Sequence, residues 1–158
     1  MSDRKRQGAD SPGAAGSGER PRSVHATGPI RLDGEARTLF DAVSEEGVFL
    51  LEDGVIVGCN DAACRQFRAS RDRIVGSTPA EFSPEFQPDG RPSTVAAAEH
   101  IACALAGREP EFRWRHRRAD GTEFDAKIAL KLIRLDGRRL VHGSIHDISD
   151  RVRVEQQA

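Results

Sequence analysis

Alternating positions in the last third of the chain predict three consecutive β-strands. From residue 112 to 116 and from 124 to 132, ring-bearing or aliphatic side chains occupy every second position, the period of a strand with one buried face. Asp120-Gly121 and Asp136-Gly137 follow these stretches, and Asp-Gly between two strands is a strong signal for a tight turn. The pattern predicts an antiparallel meander that ends near Ile148. One set of alternate positions holds Phe112, Trp114, His116, Phe124, Ala126, Ile128, Leu130 and Leu132.

A second hairpin is predicted nearer the start of the chain. Val48–Leu51 and Val55–Val57 are apolar stretches on either side of Asp53-Gly54. A type I′ turn needs a positive φ at both central positions, which Asp-Gly tolerates well. A short helix that stops at Gly47 is predicted before this hairpin. Its apolar stripe consists of Leu39, Phe40 and Val43.

Short helical segments are predicted between the hairpin and the meander. Asn60 stands where a helix N-cap belongs, because its side chain can accept a hydrogen bond from a free backbone N–H. Gly76 and Pro79 interrupt residues 71–82, so that stretch accommodates only short helical turns. Residues 83–92 contain three prolines and are predicted to form a loop. The inward face of the first helix consists of Ala63, Cys64 and Phe67.

A longer helix is predicted from a cap at Ser93 to about Ala106, with its end at Gly107. At 100° per residue His100 falls at the edge of the core face, and Cys103 points away from it. The full order of elements is two strands, several helices and three strands, which predicts an α+β fold with the helices on one face of an antiparallel sheet. The core face of the long helix carries Ala97, Ile101, Ala104 and Leu105.

Composition divides the 158-residue chain into a leader and one domain. The first 34 residues hold 6 of the 15 glycines and 3 of the 8 prolines and contain no aromatic residue. Such a segment cannot bury enough apolar surface to offset its ordering entropy. We therefore predict a disordered leader over residues 1–34, a single domain over 35–148 and the start of an exit helix over 149–158.

Charge and cysteine content exclude several classes of protein. The formal net charge of −1 gives no whole-chain reason to expect a nucleic acid or an anionic membrane as partner. No apolar run approaches the roughly 20 residues of a membrane span, and the first residues lack the apolar segment of a secretory signal. The three cysteines form no CxxC pair, which favours a reduced, cytoplasmic setting.

Three segments, in this order, resemble the PAS sensory domain. Residues 54–63 resemble the passage from strand B into an N-capped helix, and residues 112–122 resemble the hairpin of strands G and H. The segment 145–151 resembles the Asp-Ile-Thr motif that ends the domain, with Ser149 in place of Thr. The resemblance covers residues 36 to 151. It implies a five-stranded antiparallel sheet of order B-A-I-H-G, with helices over one face.

The resemblance implies a bacterial sensory module in signal transduction, with a pocket between sheet and helices. A haem could be ligated through His100, although it lies only seven residues before Gly107, nearer the helix end than PAS haem sensors place it. The cysteine that light-oxygen-voltage domains attach to flavin is missing from residues 71–86, while Trp114 could stack on a non-covalent flavin. Neither cofactor is favoured, and the ligand stays unknown. The candidate pocket residues are His100, Ile101, Trp114, His116 and Phe67.

Neither a metal site nor catalysis is expected. His142 and His146 lie on a predicted strand, where four residues span roughly 13 Å, too far for both imidazoles to reach one ion. The sequence has no nucleophile elbow, no phosphate-binding glycine loop and no paired carboxylates on an apolar face. Glu111, Glu123 and Asp125 are instead predicted to form cross-strand ion pairs with Arg113, Arg115 and Arg117.

The final motif implies a role in relaying a signal. Asp147 or Ser149 can cap the helix that follows, and Asp147 could pair with Arg151; Ile148 lies between them. In PAS proteins the similar motif couples the sheet to an exit helix, which implies a homodimer and an effector such as a kinase, a diguanylate cyclase or a regulator.

Two alternatives to this function stay open. One is a ligand-free dimerisation module, and the other is a cone-shaped α+β enzyme or carrier similar to ketosteroid-isomerase-like proteins, which the leading hairpin and the lack of an inward acid disfavour.

Overall fold

The fold is a five-stranded antiparallel sheet whose strands follow the order β2-β1-β5-β4-β3. It was obtained as a computed structural model that describes residues 28–31, 34, 40–41 and 45–157. The order equals the B-A-I-H-G arrangement that the PAS resemblance implies, so the predicted α+β fold class is confirmed. The strands are β1 (Gly47–Glu52), β2 (Val55–Cys59), β3 (Glu111–Arg117), β4 (Glu123–Leu135) and β5 (Arg138–Asp147).

Helices connect the two parts of the sheet and pack on one of its faces, as the core contacts below show. Phe40 and Asp41 are helical, in agreement with the short helix predicted before β1, whereas Leu39 and Val43 lie outside the described residues. The final helix begins two residues after the end of β5. The helices are α1 (Asp61–Phe67), α2 (Arg71–Ile74), a 3₁₀ turn (Pro79–Phe82), α3 (Ser93–Leu105) and α4 (Ser149–Gln157).

The Asp-Gly turns set the register of the hairpins. Asp53 and Gly54 have φ values of 53° and 80°, and Asp136 and Gly137 have φ values of 52° and 75°. Positive φ at both positions is the backbone of the predicted type I′ turn. Gly121 alone is positive in the third turn, where Asp120 Oδ1 accepts a hydrogen bond from the Thr122 N–H at 2.9 Å. All three predicted turns are therefore present.

The main core lies between the sheet and the helices. The Phe49 ring lies directly on Gly143 of the neighbouring strand, where an added Cβ would come within 2.3 Å of Phe49 Cζ. Gly143 is thus required at this position because the ring occupies the space of a side chain. Around this contact the sheet contributes Leu51, Trp114, Phe124 and Ile145, and the helices contribute Phe67, Ile74 and Ala104.

A smaller apolar cluster covers the opposite face of the sheet. Ile30 is only 7% exposed, and its N–H donates a hydrogen bond to the Val57 carbonyl at 2.8 Å. The predicted leader boundary at residue 34 is therefore too late, because the chain already packs against the sheet at Ile30. The rest of the predicted leader lies outside the described residues apart from residues 28, 29, 31 and 34. The cluster comprises Ile30, Leu50, Val57 and Leu140, with Phe40, Ile133 and Leu135 at its margin.

Two details of the predicted long helix are wrong. Ser93 is the first residue of α3 rather than its cap, and Pro92 takes the cap position. The Ser93 hydroxyl instead donates to the Pro84 carbonyl at 2.6 Å, which ties the preceding loop to the helix. Leu105 is 38% exposed because the helix ends there. Ala104 and Leu105 are both predicted to face the core, but only Ala104 does so.

Asn60 joins the first hairpin to α1, and its predicted role as N-cap is confirmed. Its side-chain Oδ1 accepts hydrogen bonds from the N–H groups of Ala63 at 3.0 Å and Val48 at 2.8 Å. Its Nδ2 donates to the Glu46 carbonyl at 3.1 Å. The side chain is fully buried, so each of these groups would lose a partner that water could not readily replace.

We expect Asn60→Ala to lower the free energy of unfolding by about 2–4 kcal/mol, because it removes a helix cap and leaves the buried Val48 N–H unpaired. Ser70→Ala is the matched control, since Ser70 caps α2 at an exposed position and accepts a hydrogen bond from the Arg73 N–H. The control should cost only about 1 kcal/mol. Urea unfolding measures both, and equal losses would show that the tie to β1 contributes nothing.

Candidate functional site

Two adjoining cavities lie between the inner face of the sheet and the helices. The first has a volume of about 30 Å³, and four of the five predicted pocket residues line it. The second, of about 20 Å³, is lined by the fifth, Phe67, and shares Phe49, Pro79 and His116 with the first. Fold and sequence thus bring all five together, while their role in binding stays a prediction. The four residues of the first cavity are His100, Ile101, Trp114 and His116.

These volumes do not fit a haem or a flavin. A water molecule needs about 10–15 Å³ of such volume, so the larger cavity accommodates about two water molecules or a ligand of comparable size. The imidazole of His100 is stacked on the Phe112 ring, with 3.5 Å between the ring centroids and 3° between the planes. His100 therefore packs within the lining of the cavity, and the space left between these residues does not form a haem or flavin site.

His116 is the polar group at the centre of the two cavities. It is 5% exposed, its Nδ1 lies 3.3 Å from the Phe82 carbonyl, and its Nε2 has no hydrogen-bond partner among the described residues. Burial lowers the pKa of His116 from 6.5 to about 4 and keeps the ring neutral near pH 7. Because a carbonyl oxygen only accepts, Nδ1 carries the proton and Nε2 presents a lone pair.

Aromatic rings fix the orientation of His116. Phe67 meets it edge-on at 5.1 Å with a 76° interplanar angle, and Phe124 stacks on it at 5.1 Å with 28°. Phe67 is held in turn by backbone contacts of α1 with the turn that follows β3, since the Ala119 N–H donates to the Phe67 carbonyl at 2.9 Å. The imidazole therefore has little freedom to turn toward another partner.

The loop before α3 contributes polar contacts that the sequence did not reveal. The indole N–H of Trp114 donates to the Ser83 hydroxyl at 3.0 Å. The Gln87 side chain binds the outer edge of β3: its Oε1 accepts from the Arg115 N–H at 2.8 Å, and its Nε2 donates to the Arg115 carbonyl at 3.1 Å. Gln87 thus occupies the place of a further strand. Polar residues in a proline-rich loop carry no periodic signal, so neither role could be predicted.

A surface cleft of about 420 Å³ lies beside the edge strand β3 and beneath α4. His100 and Trp114 line this cleft as well as the larger interior cavity. On the α4 side the cleft is bounded by Val152 and Glu155, and Glu155 accepts two hydrogen bonds from the Arg113 guanidinium at 3.2 and 3.3 Å. The rings of His100 and Trp114 therefore separate the cavity from the cleft that the exit helix bounds.

The predicted coupling segment connects β4 to the start of α4. Asp147 Oδ1 accepts a hydrogen bond from the Ser149 N–H at 2.8 Å, so the predicted capping contact is present. The Ser149 hydroxyl accepts from the Asp125 N–H, and the N–H of the buried Ile148 donates to the Asp125 carbonyl. The predicted Asp147–Arg151 pair is wrong. Arg151 instead pairs with Glu155 one turn along α4, and Asp147 lies 3.8 Å from Arg118.

The cross-strand charges follow the register of β3 and β4 only in part. Arg115 lies opposite Asp125 and forms a bidentate pair with it at 3.0 and 3.2 Å. The prediction for Arg113 and Glu111 is wrong, because they lie opposite Lys127 and Ala129 respectively. Arg113 is therefore available to α4, while Glu111 pairs diagonally with Lys127 at 3.2 Å. Arg117 lies opposite Glu123, but these two described residues do not form the predicted ion pair.

The cysteine and acidic side chains are relevant to thiol chemistry and to metal binding. Cys59 and Cys64 are free thiols whose sulfur atoms lie 3.9 Å apart, and burial raises the pKa of Cys59 to about 12. Within the described ranges there is no group of three or more His, Cys, Asp or Glu side chains that could hold a metal ion.

None of the helices in these same ranges has the length and apolar content of a membrane span. The cytoplasmic setting stays a prediction.

The buried His116 predicts a pH dependence of stability. Between pH 6.5 and about 4 the unfolded chain binds a proton at this ring and the folded chain does not, so stability falls as the pH falls through that window. The loss amounts to on the order of 3 kcal/mol. Urea unfolding at pH 7 and pH 4.5 should show a smaller pH effect in His116→Phe than in the unmodified chain. His146→Phe, a change at an exposed ring, should keep the full effect, and equal pH dependence in both variants would contradict the assignment.

Comparisons with known proteins agree with this geometry. A family model described as PAS domain matches residues 45–150. No curated protein matches the chain. Among solved structures, a domain of a sensory box sensor histidine kinase/response regulator from Geobacter sulfurreducens is 19% identical, with a TM-score of 0.57 over 70% of this chain and 90% of that one.

Two further solved structures share the fold. The PAS domain of nitrogen regulation protein NR(II) from Vibrio parahaemolyticus is 15% identical, with a TM-score of 0.58 over 73% of this chain and 100% of that one. The PAS domain, in complex with ethanol, of a transcriptional regulator in the LuxR family from Burkholderia thailandensis is 23% identical, with a TM-score of 0.57 over 73% of this chain and 98% of that one. With a family model matched over most of the domain, and with the strand order and the closing Asp-Ile-Ser segment in place, the chain belongs to the PAS domain family.

Proposed function

We propose that this PAS sensory domain takes a small molecule into the cavity beneath α3 and relays its presence to the exit helix α4. The observation that carries the proposal is that His100 and Trp114 line both the interior cavity and the cleft bounded by α4. An occupant that displaces either ring changes the surface against which α4 lies. Binding therefore needs no long chain of contacts to reach the exit helix.

A second contact path supports the relay. Asp125 of β4 is tied through its backbone to Ile148 and Ser149, and its carboxylate pairs with Arg115 of β3. A shift of the edge strand β3 against β4 could therefore be passed to the first turn of α4 through the side-chain and backbone hydrogen bonds of Asp125. This arrangement supports the coupling role that the PAS resemblance implies for the segment Asp147-Ile148-Ser149.

The proposed partners follow from the family and from the outer face of the sheet. The similar domains include parts of a sensor histidine kinase and of a transcriptional regulator, which supports an effector of this general kind downstream of α4. The apolar cluster on the outer face of the sheet is covered by Ile30 and Phe40 of the same chain, so we place the dimer contact on the flanking helices instead. We accordingly propose a homodimer that passes its signal to an effector domain or protein and has no catalytic activity of its own.

One alternative is favoured by a specific observation. The interior is nearly filled, with cavities of about 30 and 20 Å³, and a ligand-free dimerisation module would need no larger space. The cone-shaped enzyme or carrier has less support. The residues that line these two cavities include no carboxylate, whereas such an enzyme needs one inside its apolar pocket.

Native mass spectrometry with an absorbance scan of protein purified from its own host tests the proposed function. We expect a dimer that shows no haem or flavin absorbance, because the cavities do not fit either group. Extra mass on each subunit would support ligand binding, whereas a dimer of bare chains that also shows no saturable response to small molecules would favour the dimerisation module. A monomer in dilute solution would contradict the homodimer, and a bound chromophore would contradict the cavity volume.

The ion pair between Arg113 and Glu155 should hold α4 against β3. We expect Arg113→Ala to raise hydrogen exchange of the α4 amides about two- to fivefold, because an exposed pair contributes about 0.2–1 kcal/mol. Arg117→Ala changes the same residue type on the same face of β3 and should leave α4 unaffected. Mass spectrometric hydrogen exchange of the peptide that contains α4 measures both variants, and equal exchange would refute the role of this pair.

A further inference from the structure

His116, which lines both cavities, carries a buried hydrogen-bond acceptor that has no partner among the described residues. Among the buried side-chain atoms of the described residues, its Nε2 and the Oε1 atom of Gln66 have no hydrogen-bond partner. The Gln66 oxygen lies against Gly47, away from both cavities, whereas His116 lines both of them. A buried polar atom without a partner is costly, so an occupant that satisfies Nε2 gains more than the same occupant in an apolar cavity.

The direction of this missing hydrogen bond is fixed. The contact of Nδ1 with the Phe82 carbonyl places the ring proton on Nδ1, which leaves Nε2 as an acceptor. The occupant must therefore donate. An acceptor-only molecule of the same size would leave Nε2 unpaired.

Charge and size restrict the occupant further. The lining of the cavities is aromatic and aliphatic apart from His100 and His116 and includes no carboxylate, lysine or arginine, so an ion would be desolvated without a counter-charge. The volume of the larger cavity, about 30 Å³, corresponds to about two or three non-hydrogen atoms.

From these constraints, and resting on the proposed function, we propose that the ligand is a small neutral molecule of alcohol-like chemistry whose O–H or N–H group donates a hydrogen bond to His116 Nε2. Its apolar part lies against Phe49 and Trp114. An occupant of three non-hydrogen atoms binds no tighter than about 0.5 mM, since small ligands gain at most a limited free energy per atom. The site therefore responds to millimolar concentrations.

Ethanol and acetonitrile form a matched pair of probes for this site. Each has three non-hydrogen atoms, but only ethanol donates a hydrogen bond. Trp114 is the single tryptophan of the chain and lines the cavity, so its indole N–H signal reports binding in an NMR titration of the full ¹⁵N-labelled chain. We expect saturable shifts with ethanol and an affinity for it at least about threefold higher than that for acetonitrile.

The His116→Phe variant separates the hydrogen bond from the cavity. Phenylalanine keeps the ring contacts with Phe67 and Phe124 but removes both nitrogens. The variant should bind the two probes with equal affinity. If it does not fold, the ¹⁵N signal of His116 Nε2 in the unmodified chain provides the same information, because it should move with ethanol and stay in place with acetonitrile.

The outcomes distinguish this inference from the proposed function. Equal affinities for the two probes in the unmodified chain, or an equal loss of both in His116→Phe, would overturn the role of His116 while the ligand sensor stands. The absence of saturable shifts, together with a long-lived water on Nε2, would assign the acceptor to water and overturn the inference. Saturable shifts with both probes would support the proposed ligand binding whichever of them binds more tightly, so the two proposals can fail separately.

Discussion

The arrangement of the cavities depends on one buried carboxamide. Asn60 accepts hydrogen bonds from Val48 of β1 and Ala63 of α1 and donates to the Glu46 carbonyl, so it fixes the point at which the chain leaves the sheet. A carboxamide can accept twice and donate at one site, which an aliphatic or hydroxyl side chain cannot do with the same geometry. Since α1 starts here, Asn60 also determines where Phe67, seven residues along, meets the His116 ring.

Much of this fold could be predicted because its signals are local. The Asp-Gly turns and the alternation of β3 and β4 need only neighbouring residues to be recognised, and Asn60 is a cap because of its own side chain. Ser93 was misjudged for the converse reason. Its hydroxyl donates to the Pro84 carbonyl, nine residues earlier, and Pro92 takes the cap position. The preference of serine for a helix cap is therefore overridden by a contact within the loop.

The positions of the candidate pocket residues could be predicted, but the contacts between the elements around them could not. The five candidate residues were identified from their faces on helix and strand, and those faces do point to the cavities. The partner of Arg113 could not be predicted because it lies on α4. Only the register of β3 against β4 shows that Arg113 lies opposite Lys127 rather than a carboxylate. Likewise, nothing in the pattern around Gln87 shows that its amide binds the edge of β3.

The small size of the cavities also constrains how such a domain can respond. A large cofactor would be a permanent part of the core, whereas an interior with about 30 Å³ of space changes by the repacking of a few side chains. A close-packed core deforms in discrete steps rather than continuously. A small occupant beside His116 therefore acts on a neighbouring side chain that has a second conformation available to it. His100 is that neighbour, since it is half-buried and is stacked on Phe112, with the open cleft beside α4 on its other side. Its movement would change the lining of the cavity and of the cleft that α4 bounds in the same step.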